Sequence, residues 1–252
     1  MLNHPTLDKL TTLRLHGMAQ AFLRQCENPE SEALSFAERL GLLVDAEATV
    51  RDDKRFSLRL RTAALRQSAC LADIDYRAAR GLDRTLIQKL ATGTWIREHL
   101  NCLITGPTGV GKSFIACALA HQACRDGHTV RYLRLPRLLS ELSLARGDGR
   151  YRKLLTQLAR TEVIVLDDLG LDALTDLQRR DLLEIVEDRY ERHSTIITSQ
   201  FPVAQWHAWI NDPTLADAIL DRLVHASYRL EMKGESLRKR ARPLTAAETI
   251  SP

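Results

Sequence analysis

Eight consecutive residues, Gly106-Pro107-Thr108-Gly109-Val110-Gly111-Lys112-Ser113, fit the spacing GxxxxGK[ST] at every fixed position. Each residue type in that pattern has a physical task. Glycine at 106, 109 and 111 lets the backbone turn tightly, with amides pointing inward at phosphate oxygens. A helix starting at the end of the loop adds its dipole to the same anion site. Lys112 supplies a mobile point charge for β- and γ-phosphates, and the Ser113 hydroxyl is a magnesium ligand. The chemistry anticipated is that of ATP with Mg2+. A second run, Val163-Ile164-Val165-Leu166-Asp167-Asp168, ends four apolar residues in two carboxylates. A buried strand delivers them at its C-terminal edge, where ligands bind in open α/β sheets. There Asp167 can orient magnesium and its water, and Asp168 is placed to polarise an attacking water.

Both motifs need strands and helices around them. Residues 101–105 read as a short buried strand and 112–126 as a helix stopped by Gly127. Strand-like runs recur at 129–135, 162–166, 194–199 and 227–231. Helical stretches lie between them, among them 177–193 and 215–224, and Gly147-Asp148-Gly149 turns between two short basic helices. Strands alternating with helices predict an α/β fold with a parallel sheet of five strands, covered on both faces. The first hundred residues read as helix throughout, broken at Asn28-Pro29-Glu30-Ser31. Cys70-Leu71-Ala72-Asp73 interrupts the long second helix, so the expected division is a helical domain over 1–70 and an ATPase domain over 71–252.

Composition closes off several function classes. The chain has 252 residues, 44% hydrophobic and 27% charged, enough apolar material for a core and unlike a disordered chain. No run of about 18 apolar residues is present to span a membrane, and the N-terminus lacks a signal pattern, so the expected location is the cytoplasm. Five scattered cysteines without a CxxC pair read as reduced thiols, and the histidines form no metal motif. The net charge of +4 is concentrated. Residues 131–160 alone net +6, while 51–66 and 229–242 net +4 each, so the remainder is acidic. Basic charge gathered this way points to a polyanion surface.

The order of elements resembles the P-loop ATPases of the AAA+ group, in which an acidic catalytic residue sits beside the magnesium ligand. In AAA+ members the polar end of the next strand senses the γ-phosphate and water. Gln200 takes that place here, with Ser199 as the alternative. The segments GPTGVGKS, VIVLDDLG, STIITSQFPVAQWH, DPTLADAILDRLVH and KGESLRK then resemble the IstB-type helper ATPases of insertion-sequence transposons, relatives of the DnaC helicase loaders. The resemblance covers nearly the whole chain. It implies an ATPase that forms homo-oligomers on duplex DNA in the presence of ATP and recruits or stimulates a partner transposase. It aligns Arg222 with an arginine finger acting across a subunit boundary, gives Arg238 a weaker claim on the same phosphate, and implies no C-terminal lid domain. One departure is Asp168, where most AAA+ proteins have Glu. The resemblance also places 137–153 where initiator-type members carry a DNA-facing insertion, so Arg146, Arg150, Arg152 and Lys153 are the expected phosphate contacts. No zinc finger or aromatic stacking run is present, and Trp95, Trp206 and Trp209 read as packing residues, so DNA contact is expected to be largely independent of sequence. Two other readings stay open: a DnaC-like helicase loader, and a DNA scaffold that binds ATP without turnover.

Overall fold

The computed structural model describes residues 5–77 and 80–237. The chain divides into two compact units, Met1–Leu58 and Arg59–Pro252. The first contains α1 (Pro5–Thr12), α2 (His16–Glu27) and most of α3 (Phe36–Ala63). A capping box starts α3: Ser35 Oγ accepts from the Glu38 amide at 3.3 Å and the Glu38 carboxylate accepts from the Ser35 amide at 2.8 Å. The carboxylate of Glu47 on α3 accepts from the Gly17 amide at 2.8 Å, satisfying an unpaired donor at the start of α2. Gly17 is required there, because a Cβ would lie 2.5 Å from the Ala46 carbonyl oxygen. The division falls within α3, upstream of the break at Cys70–Asp73. The last turn of α3 belongs with the second unit because Arg59 donates to the Cys124 carbonyl at 2.8 Å and Ala63 is fully buried.

The second unit continues with α4 (Arg84–Ala91), α5 (Thr94–Arg97), β1 (Asn101–Thr105), α6 (Lys112–Arg125), β2 (Val130–Arg134), α7 (Leu135–Gly147) and α8 (Tyr151–Arg160). Then come β3 (Val163–Leu169), α9 (Asp176–Arg189), β4 (Ser194–Ser199), α10 (Trp206–Ile210), α11 (Pro213–Val224) and β5 (Ser227–Glu231). The five strands form one parallel sheet in the order β2-β3-β4-β1-β5. Every residue of β1 and β4 is buried, as expected of strands covered on both faces. The chain moves one way across the sheet from β1 to β2 and the other way at each later crossover. Right-handed crossovers therefore place α6 on one face and α7 to α11 on the other. Leu138, Leu142, Leu158, Leu182 and Ile219 pack with Ile164, Leu166 and Ile197 in the larger core cluster. Trp95 and Trp206 are buried and donate to the Leu90 and Phe201 carbonyls, and Trp209 donates to that of Asp172. All three serve packing.

The parallel arrangement brings the C-terminal ends of β1, β3 and β4 to one edge of the sheet. Arg189 fastens the opposite edge. Its buried guanidinium donates to the carbonyls of Leu158, Thr161 and Ser194, tying the end of α8 to the approach to β3 and the start of β4. Cys102, Cys117 and Cys124 are buried free thiols, and burial pushes the Cys102 thiol up to about 12. Cys26, by contrast, is exposed.

Candidate functional site

The loop 106–111 leaves β1 at its C-terminal end and enters α6 at Lys112. Gly106, Gly109 and Gly111 have φ of 144°, 87° and 101°, in the region where a side chain is strained. A second constraint comes from residues 232–237, which run on from β5. The Met232 amide donates to Thr105 O at 2.7 Å and the Leu237 amide to Gly109 O at 3.0 Å. A Cβ at Gly106 would overlap the Met232 carbonyl, and one at Gly109 would overlap the Ser236 hydroxyl. The KGESLRK segment is thus, in its described part, a strap over the loop. Arg238 lies outside the described residues.

Lys112 is buried, and its ammonium donates to the carbonyls of Gly106 at 2.7 Å and Pro107 at 2.8 Å. The Ser113 hydroxyl donates to Asp167 Oδ1 at 2.8 Å. A hydroxyl has one proton and two lone pairs, so this bond leaves the lone pairs of Ser113 for a cation. Asp167 is fully buried, and the hydroxyls of Thr198 and Tyr132 donate to it as well. Arg66 Nη1 stands 3.2 Å from its Oδ2. Burial and the bond to Asp167 push the Tyr132 hydroxyl upward, which keeps it a proton donor.

The register of β3 against β4 slips between Leu166 and Leu169, and Asp168 takes φ of 66°. Such a bulge re-aims one side chain without ending the strand. It leaves Asp167 facing Ser113 and turns Asp168 into the cavity, with the Asp168 amide held by Thr198 Oγ1 at 3.1 Å. The Asp168 carboxylate is paired with Arg134 at the end of β2, Nη2 at 2.9 Å and Nε at 3.0 Å. The cavity, of about 510 Å³, is lined by Lys112, Ser113, Asp168 and Gln200, and also by Arg66, Arg80 and Arg134. Ser199 is not available to it, since its buried hydroxyl donates to Leu169 O at 2.8 Å. Gln200 is the residue of that pair on the cavity wall.

Sequence reasoning misses Arg66, Arg80, Tyr132 and Thr198 as parts of the site. Tyr132 and Thr198 carry little signal, because β2 (Val-Arg-Tyr-Leu-Arg) and β4 (Ser-Thr-Ile-Ile-Thr-Ser) hold other polar residues as well. Arg66 and Arg80 carry none, because they come from the connection before α4. Arg80 is buried with Nη1 3.4 Å from the Val110 carbonyl, and a Cβ on Gly111 would sit 2.9 Å from it.

Arg222 is not brought to this cavity. Its carbonyl accepts from Asn101 Nδ2 at 3.2 Å at the start of β1, whereas the phosphate loop follows the end of β1. Its side chain pairs with Glu187 at 2.5 Å. The four basic residues of the α7–α8 hairpin also separate by environment. Arg146 is bound to the buried carboxylate of Asp181 and lies over the Tyr151 ring, 3.7 Å from its centroid. The bond to Asp181 raises the Arg146 guanidinium further above its ordinary value. Arg150 pairs with Asp148 at 2.6 Å. Arg152 and Lys153 are exposed on α8 without a carboxylate partner among the described residues. Arg146 therefore has a second partner that the sequence does not show, a buried carboxylate that needs its charge.

The sheet order, the loop and the paired carboxylates define an AAA+ P-loop fold. The sequence profile of the IstB-like ATP binding proteins matches residues 8–245, and the chain belongs to that family. It is 57% identical to an insertion sequence ATP-binding protein of Sinorhizobium fredii over 96% of this chain and 99% of that protein. It is 31% identical to the insertion sequence IS21 ATP-binding protein of Pseudomonas aeruginosa, over 91% of this chain and 86% of that one. Among solved structures the fold is similar to DnaI, with a TM-score of 0.58 and 22% identity over 70% of this chain and 93% of that chain. The DnaC helicase loader gives 0.53 and 23%, over 69% and 99%.

Proposed function

We propose that the chain is the ATPase of an insertion sequence: an oligomer that binds duplex DNA under ATP control and recruits or stimulates a partner transposase. The observation that carries this reading is the Ser113–Asp167 hydrogen bond beside the phosphate loop, with Asp168 turned into the same cavity. A scaffold that bound ATP without turnover would have no use for the second carboxylate.

The amides of 106–113 receive the phosphates. Lys112 exchanges two neutral carbonyls for anionic oxygens, a stronger charge-assisted bond. Ser113 keeps donating its hydroxyl proton to Asp167 and offers its lone pairs outward. One hydroxyl and one carboxylate, both hard oxygen donors, suit magnesium, which keeps several of its waters. Magnesium, when bound, neutralises charge developing on the β- and γ-oxygens. Asp168 polarises the attacking water once Arg134 releases it, and Gln200 positions that water. Arg222 acts on the loop of a neighbouring copy, since its own loop lies at the other edge of the sheet. Arg150, Arg152 and Lys153 meet DNA phosphates, while Arg146 stays with Asp181. The relatives named as insertion sequence proteins, at up to 57% identity over nearly full length, support a transposition helper over a helicase loader.

The test measures duplex and single-strand binding with and without ATP, in the parent and in Lys112→Ala. ATP-dependent duplex binding that the variant loses while it stays folded, with a single cooperative melting transition, is the expected result. A preference for single strands together with capture of a hexameric helicase would move the assignment to a loader.

A further inference from the structure

Asp167 is fully buried and takes four side-chain donors, which fills the roughly four lone-pair positions a carboxylate offers. Three of the donors are anchored in the sheet or the helix behind it: Ser113 in α6, Thr198 in β4 and Tyr132 in β2. Arg66 is different in three respects. It comes from the connection between α3 and α4, its side chain is 41% exposed, and it alone of the four carries a charge. Its Nη1 also lies 3.9 Å from Asp168 Oδ2, so one guanidinium bridges both carboxylates at the cavity.

A cation beside Asp167 cannot share that carboxylate with Arg66 on equal terms. Both need lone pairs of the same group, and like charges at contact distance repel strongly where water is scarce. Thr198 and Tyr132 are neutral donors, so their hydroxyls bring no charge that opposes a cation. Arg66 does, and it can withdraw at the expense of one charge-assisted hydrogen bond. We infer that Arg66 is a positioning residue that competes with the divalent cation for Asp167, and so sets the magnesium requirement for nucleotide loading. The inference rests on the ATPase reading above. It assigns to the connection before α4 a part in the site that the phosphate loop and the paired carboxylates do not announce.

The full chain is compared with Arg66→Ala, Arg66→Gln and Arg66→Lys in two measurements. The first titrates magnesium against binding of a fluorescent, slowly hydrolysed ATP analogue. Arg66→Ala and Arg66→Gln should lower the magnesium concentration at half-maximal binding by about tenfold, the scale of one charge-assisted hydrogen bond, with Arg66→Lys near the parent. The second is thermal melting with and without saturating analogue and magnesium. Without ligand, Arg66→Ala should melt about 5 °C lower, because Asp167 loses its counter-charge, whereas the loaded proteins should melt together. Arg66→Gln keeps a neutral donor and gives the same readout should the alanine variant fail to fold. An unchanged magnesium midpoint, or equal loss of melting temperature in both states, would show a merely structural role and overturn the inference. A parent that binds the analogue without any magnesium dependence would overturn the ATPase reading and the inference together. A magnesium-dependent parent with unmoved variants would overturn the inference alone.

Discussion

Asp168 shows how much one backbone angle decides. An ordinary β residue after Asp167 would point to the opposite face of the sheet, since side chains alternate. The left-handed φ of 66° and the register slip bring both carboxylates toward the loop instead. Asp and Asn tolerate that region better than most residues, which fits the shorter acid found here in place of Glu. Asp168→Asn should therefore fold and bind nucleotide like the parent. Its turnover should fall by about a hundredfold or more, because the amide cannot accept a proton from water. Phosphate release measured beside analogue binding checks this, and equal turnover would place the base elsewhere. Lys112, buried against its own loop carbonyls, is held ready rather than exposed.

At the scale of elements, the loop and the strap that follows β5 fit only because two side chains are absent, at Gly106 and Gly109. Gly106 faces a backbone carbonyl of Met232, which has no flexible end to yield. Gly106→Ala should lose nucleotide binding and unfold at lower urea, a cost of at least about 2 kcal/mol from overlap and a strained φ. Gly147→Ala is the matched control, because nothing lies within 4 Å of a Cβ there and it ends a helix at ordinary φ. It should leave binding intact and change stability by no more than about 1 kcal/mol. Equal behaviour of the two variants would mean that the strap does not constrain the loop.

For the whole molecule, the sheet sets Arg222 and the phosphate loop at opposite edges, so one copy cannot combine them. Arg222→Ala and Lys112→Ala, each inactive in hydrolysis alone, should recover partial turnover when mixed, since some interfaces then join an intact loop to an intact Arg222. No recovery at any ratio, with mixed oligomers shown to form, would argue against action in trans. The same partition by environment applies to DNA. Arg152→Ala with Lys153→Ala should reduce the log–log salt slope of duplex binding by roughly 0.9 for each DNA phosphate that is no longer neutralised. An unmoved slope would make these residues solvated surface. Arg146→Ala should instead lower stability, because it strands the Asp181 carboxylate in the core.

The phosphate loop, the two carboxylates and the five parallel strands were legible in the sequence because each is a local pattern. Glycine spacing fixes a turn, and an apolar run ending in Asp-Asp fixes a buried strand with acids at its edge. The glycines announced a tight turn, though not that residues 232–237 crowd it. Tertiary structure alone decided which basic residues are spoken for. Arg146 and Arg66 look like any other arginine in a basic stretch, yet one neutralises Asp181 and the other bridges Asp167 and Asp168. Those partners lie 35 and 101 residues away along the chain, and no local periodicity reports a contact that only the fold brings together. The chain division at Leu58 rather than near residue 70 has the same cause. A helix reads as continuous from its own residues, but which unit claims its last turn depends on the groups it packs against.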